Sequence, residues 1–248
     1  MCVTKPGIPN DAECAMNLDL RKEGRADDRA RGARPSTVEG GALRRLFVLF
    51  AFLAILTVVG LLGLDRVTAE AVRAHEPRWL FSISSAISLL GGIGIYPATA
   101  AALLAWFWWF RPDRRLSRVC IWLLTAEAAC ALLVRMLKIG FGRWRPDQVL
   151  GGQFEFFQLK SKCHSFPSGH TADAAVVATV LWIACPRLRP LCVVWVALMA
   201  MARIGAEQHF VADAATGAAL GILGALAVGR KLDAIDRRIV PGTPSPMR

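Results

Sequence analysis

Three stretches of the chain hold residues whose types and spacing suit phosphate chemistry. The first is Lys138-Ile139-Gly140-Phe141-Gly142-Arg143-Trp144-Arg145-Pro146. The second is Ser165-Phe166-Pro167-Ser168-Gly169-His170-Thr171, and the third runs from Arg203 to Asp213. The second follows a loop and opens an apolar run. A Gly-containing turn at a helix start leaves backbone N–H groups free, and the helix dipole draws an anion there. His170 stands beside that turn as a proton donor. In the third stretch His209 and Asp213 are four apart, which on a helix puts them on one face. A carboxylate behind an imidazole fixes its tautomer and stabilises its cation. Lys138, Arg145 and Arg203 bring positive charge. Arg offers forked, bidentate bonds to phosphate and Lys acts as a point charge. Such an array suits a phosphoryl group whose transition state spreads charge over its oxygens. Each cation taken singly also fits a side chain snorkelling at the end of a membrane span.

The elements that must hold these residues are apolar helices. The 248-residue chain is 54% hydrophobic yet carries a formal charge of +11. Positive charge set between apolar runs points to an integral membrane protein in a lipid bilayer. No nucleic acid partner is expected, because zinc-finger and RNP-type patterns are missing. The seven cysteines contain no C-x-x-C pair, which argues against a zinc site or a disulfide framework. The expected fold class is all-α, a polytopic bundle of six transmembrane helices. The spans are read at 46–64, 83–110, 120–137, 171–185, 191–201 and 214–229. The first is long enough, at about 1.5 Å per residue, to cross about 30 Å of hydrocarbon, and too long for the apolar region of a signal peptide. Residues 1–45 are read as a disordered cytoplasmic tail, 46–229 as the membrane domain and 230–248 as a second cytoplasmic tail. Arg-rich short connections at 111–118 and 186–190 belong in the cytoplasm with both termini. The connections 65–82, 138–170 and 203–213 then share the opposite, extracytoplasmic face, and so does the candidate active site.

The pattern Lys138-x6-Arg145-Pro146, then Pro167-Ser168-Gly169-His170, then Arg203-x5-His209-x3-Asp213 resembles the three-part signature of the type 2 phosphatidic acid phosphatase family. That family includes membrane lipid phosphatases and soluble vanadium haloperoxidase relatives. The resemblance covers 138–213 directly. It implies that His209 attacks phosphorus and forms a phosphohistidine, that Asp213 orients His209, and that His170 protonates the leaving oxygen and then activates water. It implies that Lys138, Arg145, Arg203, Ser168 and the Gly169 amide hold the phosphoryl oxygens. No metal and no cofactor are implied. Ala202 stands where the family commonly has Ser before the motif arginine, which removes a minor hydrogen bond.

The expected function is hydrolysis of a phosphate monoester, or of the terminal phosphate of a diphosphate, from a lipid. Lipid A phosphates, undecaprenyl diphosphate, phosphatidylglycerol phosphate and phosphatidate are candidates, with an envelope lipid such as lipid A favoured. The expected place is a bacterial inner membrane with the site facing the periplasm. A phosphotransferase using the same site, and a non-enzymatic transporter, are the alternatives. Among weaker candidates, Arg143 reads as a second anion ligand or a solvated surface residue, His164 as a loop histidine, and Asp173 as an acid favouring a helix start. Glu127 is an acid inside a span, which calls for a partner on another span or a water-filled cavity. Phe154, Phe156 and Phe157 either pack the loop on the bundle or guide a lipid tail.

Overall fold

A computed structural model describes residues 37–75, 78–92, 94–149 and 152–239. The described residues are helical, with no strand and a single isolated bridge between Arg143 and Phe154. The helices are α1 (Thr37–Val59), α2 (Asp65–His75), α3 (Arg78–Leu90), α4 (Ile95–Trp109), α5 (Arg114–Phe141), α6 (Gly169–Ala184), α7 (Arg189–Gly205) and α8 (Val211–Ile239). Of the tail read as disordered, residues 1–36 lie outside the described residues, and helix begins at Thr37. The final helix runs ten residues beyond Gly229, into the stretch read as a tail.

Among the described residues five helical stretches are long and apolar enough to cross a membrane: Arg44–His75, Phe81–Trp109, Arg114–Phe141, Pro186–Gly205 and Val211–Asp236. The sixth apolar helix, α6, is shorter, so the structure supports five full-length spans and leaves the expected sixth below that length. The backbone leaves helical geometry at Gly63 (φ 157°, ψ −26°), so a kink just before Leu64 separates the apolar α1 from the charged stretch, which forms a helix of its own, α2. In the second span α3 ends at Leu90 and α4 begins at Ile95, with Gly91, Gly92 and Gly94 between them.

Small residues set the packing. Helix α8 packs on α5, α6 and α7. A Cβ on Gly217 would meet Ser168 O at 2.4 Å, and one on Gly221 would meet Ala172 O at 2.2 Å. Only bare backbone lets α8 lie this close to the start of α6, as small residues do generally between membrane helices. Trp122, Cys130 and Val134 of α5, Val176 and Val180 of α6 and Ala225 of α8 close the core below. Trp122 Nε1 donates to Ala225 O at 2.8 Å, which satisfies the indole inside that core.

Each end of α5 has a physical cause. Asp113 caps its start, accepting from Arg115 N at 2.9 Å and Leu116 N at 3.0 Å. Gly142 ends it at φ 53°, and a Cβ there would overlap Glu155 O. Lys138 and Arg145 are thereby placed on either side of a sharp helix stop.

Candidate active site

The three motif stretches converge where α5 ends, α6 begins and α7 hands over to α8. Ser168 N donates to Asp213 O at 3.0 Å, Ser165 N to Arg143 O at 2.9 Å and Arg145 N to Lys162 O at 3.1 Å. Backbone bonds thus tie the stretches directly. Lys138, Arg145 and Arg203 all lie near enough to His170 to act on it electrostatically, and Lys138 and Arg203 act likewise on His209.

The cations are only partly satisfied. Lys138 Nζ donates to the carbonyl of His164 at 2.7 Å, so His164 contributes its backbone while its ring faces Gln158 O at 2.9 Å. Arg145 Nη1 bonds Gln208 Oε1. Arg145 Nε and Arg203 Nε are buried with no acceptor. Burial of Arg145 lowers its pKa. Buried guanidinium donors without acceptors are costly, and an anion is what would satisfy them. At the turn, the Ser168 hydroxyl pairs with Thr171 Oγ1 at 2.9 Å, and Gly169 is the first residue of α6.

His209 and Asp213 meet differently from the expectation of a shared helix face. His209 precedes α8, and its backbone N–H closes the end of α7 onto Arg203 O at 3.2 Å. Asp213 is the third residue of α8, and its Oδ2 accepts from Phe210 N at 2.9 Å, which is the carboxylate half of a capping box. His209 Nδ1 stands 3.7 Å from Asp213 Oδ2, beyond hydrogen-bond reach, and has no partner. Burial holds the His209 pKa down to about 3, against the upward pull of Asp213. The imidazole is therefore neutral near pH 7, with its electron pair free. Unfolded, the same group binds a proton below about pH 6.5. The unfolded chain binds the extra proton between pH 6.5 and 3, so His209 makes the fold lose stability as pH falls through that window. We expect the wild type's resistance to chemical denaturation to weaken from pH 6.5 to pH 4, and a His209→Asn variant to lose part of that slope. Identical slopes in the two proteins would refute this placement of His209.

Residues that the motifs do not mark hold Asp213. Ser165 Oγ donates to Asp213 Oδ2 at 2.5 Å, and Arg143 Nη1 donates to Asp213 Oδ1 at 2.5 Å. Arg143 Nη2 reaches Asp65 Oδ2 at 2.7 Å, and Asp65 Oδ1 accepts from Ala212 N at 3.0 Å. The guanidinium is 2% exposed, lies over the Phe210 ring at 4.2 Å and donates from Nε to Gly152 O. Neither sequence reading of Arg143, as anion ligand or as solvated surface residue, survives this geometry. Asp65 carried no signal, because its partners lie 78 and 147 residues away.

Glu127 does find a partner on another span. Its side chain pairs with that of Asp173 on α6, and both are buried. Asp173 therefore faces into the bundle in place of simply favouring a helix start. Among the described residues no three His, Cys, Asp or Glu side chains gather as metal ligands.

The segment holding this site matches a known family model, PAP2 superfamily, over residues 119–233. That match covers just under half of the chain. Two curated relatives are lipid A 1-phosphatases. That of Rhizobium etli is 31% identical over 106 residues, which is 40% of this chain and 44% of the relative. That of Rhizobium johnstonii is 33% identical over 96 residues, 36% of this chain and 38% of the relative. The chain thus spans less than half the length of each. A PAP2-type phosphatidylglycerolphosphate phosphatase from Bacillus subtilis superposes with a TM-score of 0.56 at 23% identity, covering 79% of this chain and 98% of that one. The likeness in fold to that structure accordingly extends beyond the matched segment to most of the helices.

Proposed function

We propose that this protein is a membrane phosphatase that removes a phosphate, as a monoester or the terminal phosphate of a diphosphate, from a lipid through a phosphohistidine. The observation that carries the reading is the pair of buried, acceptor-free guanidinium nitrogens on Arg145 and Arg203, beside Lys138 and the two histidines. A phosphoryl group entering there gains the bonds those nitrogens lack. Ser168 and the Gly169 amide at the start of α6 complete the cradle.

Neutral His209 attacks phosphorus through Nε2, because Nδ1 faces Asp213. Asp213 lies close enough to stabilise the positive charge that grows on the ring as the N–P bond forms. His170 gives its proton to the departing oxygen as the P–O bond breaks. It then takes a proton from the water that attacks phosphohistidine, returning His209 and releasing inorganic phosphate. Every step has a protein group assigned to it, so the reaction as drawn needs no metal.

The membrane unit is read as 46–229, in a bacterial inner membrane, with the site facing the periplasm. The basic connections at 111–118 and 186–190, opposite the site, support that orientation. Among the candidate lipids the 1-phosphate of lipid A is favoured, since both curated relatives described above are named for it. The purified chain in detergent should release inorganic phosphate from at least one of lipid A 1-phosphate, undecaprenyl diphosphate, phosphatidylglycerol phosphate and phosphatidate. Release should persist in EDTA. Label passing to a second lipid in place of water would make it a transferase, and silence on every substrate would overturn the reading.

A further inference from the structure

The connection from α5 to α6 carries more than the cradle turn. Phe157 N donates to Gly140 O at 3.1 Å, and Glu155 N donates to Gly142 O at 2.9 Å. These bonds lay residues 154–157 back along the last turn of α5, which is one of the five helices able to span a membrane. The apolar side chains of this loop therefore stand level with the end of a span. Phe156, Phe157 and Leu159 are 62%, 82% and 76% exposed. Phe157 adopts φ 60°, a left-handed conformation rare for an aromatic residue, and its ring is turned outward. Neither the exposure nor the backbone suits rings that merely pack the loop onto the bundle.

The exposed rings connect to the cradle. Phe156 lies 6.3 Å from Phe141, and Phe141 lies 5.4 Å from Phe166, centroid to centroid. Phe154 touches both Phe141 and Phe166, at 6.4 and 6.0 Å. Phe166 immediately precedes Pro167-Ser168-Gly169-His170. A chain of aromatic contacts thus runs from Phe156, next to the loop tip, through Phe141 to Phe166 at the edge of the phosphate cradle. In the other direction it starts at the last residue of α5, a membrane-spanning helix whose end stands level with the loop.

We propose that Phe141, Phe156, Phe157 and Phe166 form a seat for an acyl chain of the lipid substrate, which guides its phosphate to Lys138, Arg145 and Arg203. The seat rests on the lipid phosphatase reading and adds which part of the protein recognises the tail. Its occupant is hydrocarbon because the surface is aromatic, stands level with the end of a membrane-spanning helix and ends where the headgroup must sit. Lys160 and Lys162, exposed just past the tip, suit the anionic headgroups around that chain.

The test compares the wild type with a Phe156→Ser/Phe157→Asn double variant of the full chain. Asn is at ease with positive φ, so the loop keeps its backbone while the rings are lost. Hydrolysis of dioleoyl phosphatidate in mixed micelles is set against dibutyryl phosphatidate. The ratio of kcat/KM, long chain over short, should fall about tenfold, mainly through KM, with an unchanged melting temperature. Equal losses on both substrates, or no loss on either, would overturn the seat. A second readout does not depend on turnover: binding of a non-hydrolysable dioleoyl phosphonate should weaken about tenfold in the variant. Equal binding rejects the seat whatever the turnover. Absence of turnover in the wild type counts against the phosphatase reading alone.

Discussion

A His209→Ala variant is expected to lose lipid phosphatase turnover by about four orders of magnitude or more, while still folding in membranes. The size follows from the role. A nucleophile removed from a covalent mechanism leaves only the binding and electrostatic part of the catalysis, and such losses are very large. The fold should tolerate the change because His209 contributes little to it. Its Nδ1 is buried without a partner, so truncating the ring removes a costly burial and breaks no side-chain hydrogen bond of that atom. What anchors the segment is the backbone, through His209 N to Arg203 O and the capping of α8 by Asp213. Both survive truncation of the ring. Trapping experiments sharpen the test. Acid-labile label should appear on wild-type protein after brief exposure to a labelled lipid phosphate, and should be missing from His209→Ala. Turnover within tenfold of the wild type would remove His209 as the nucleophile. Label persisting on the variant would move the covalent step to another residue.

How much of this was legible in the sequence depended on how local each feature is. The helical class and most span positions could be read because an apolar run long enough to cross a bilayer is a property of one segment. Helix ends were less legible. Asp113 and Gly142 extended α5 beyond the apolar core read at 120–137, because caps lie among charged residues that a hydropathy reading assigns to loops. The short fourth run read at 171–185 corresponds closely to α6, Gly169–Ala184, which is shorter than the other five spans. The motif residues were legible through spacing, and the structure brings them together. Their meeting has a different local cause in one case: Asp213 stands four residues after His209 because it caps the helix that starts between them. The clasp of Asp65, Arg143 and Ser165 around Asp213 was not legible. It depends on Gly60, where a Cβ would crowd Asp65 Oδ1 at 2.8 Å and Ala212 Cβ at 2.9 Å, so that two distant segments can touch. No spacing rule joins residues so far apart. Glu127 lay between these cases, since its cost inside a span announced a partner without naming Asp173.

Arg143→Lys should be the most damaging conservative change outside the motif residues, and it separates two meanings of that arginine. One guanidinium bridges two buried carboxylates, with Nη1 on Asp213 and Nη2 on Asp65, while Nε holds Gly152 O. A single ammonium cannot span both carboxylates in that fork. At least one buried aspartate loses its counter-charge, and breaking a buried pair in this way costs about 3–5 kcal/mol. The melting temperature should fall by several degrees. Since Asp213 sits behind His209, kcat should fall as well, with KM for the lipid little changed. An anion ligand would behave in the opposite way, raising KM and leaving stability alone. Asp65→Asn provides the cross-check, because Asp65 lies on the far side of Arg143 from Asp213. If Arg143 acts by holding Asp213, Asp65→Asn should lower both stability and kcat in the same direction, and the double variant should lose less than the two single losses added. Strict additivity, or an Asp65→Asn variant with unaltered kcat, would leave the clasp a structural feature with no part in setting the nucleophile.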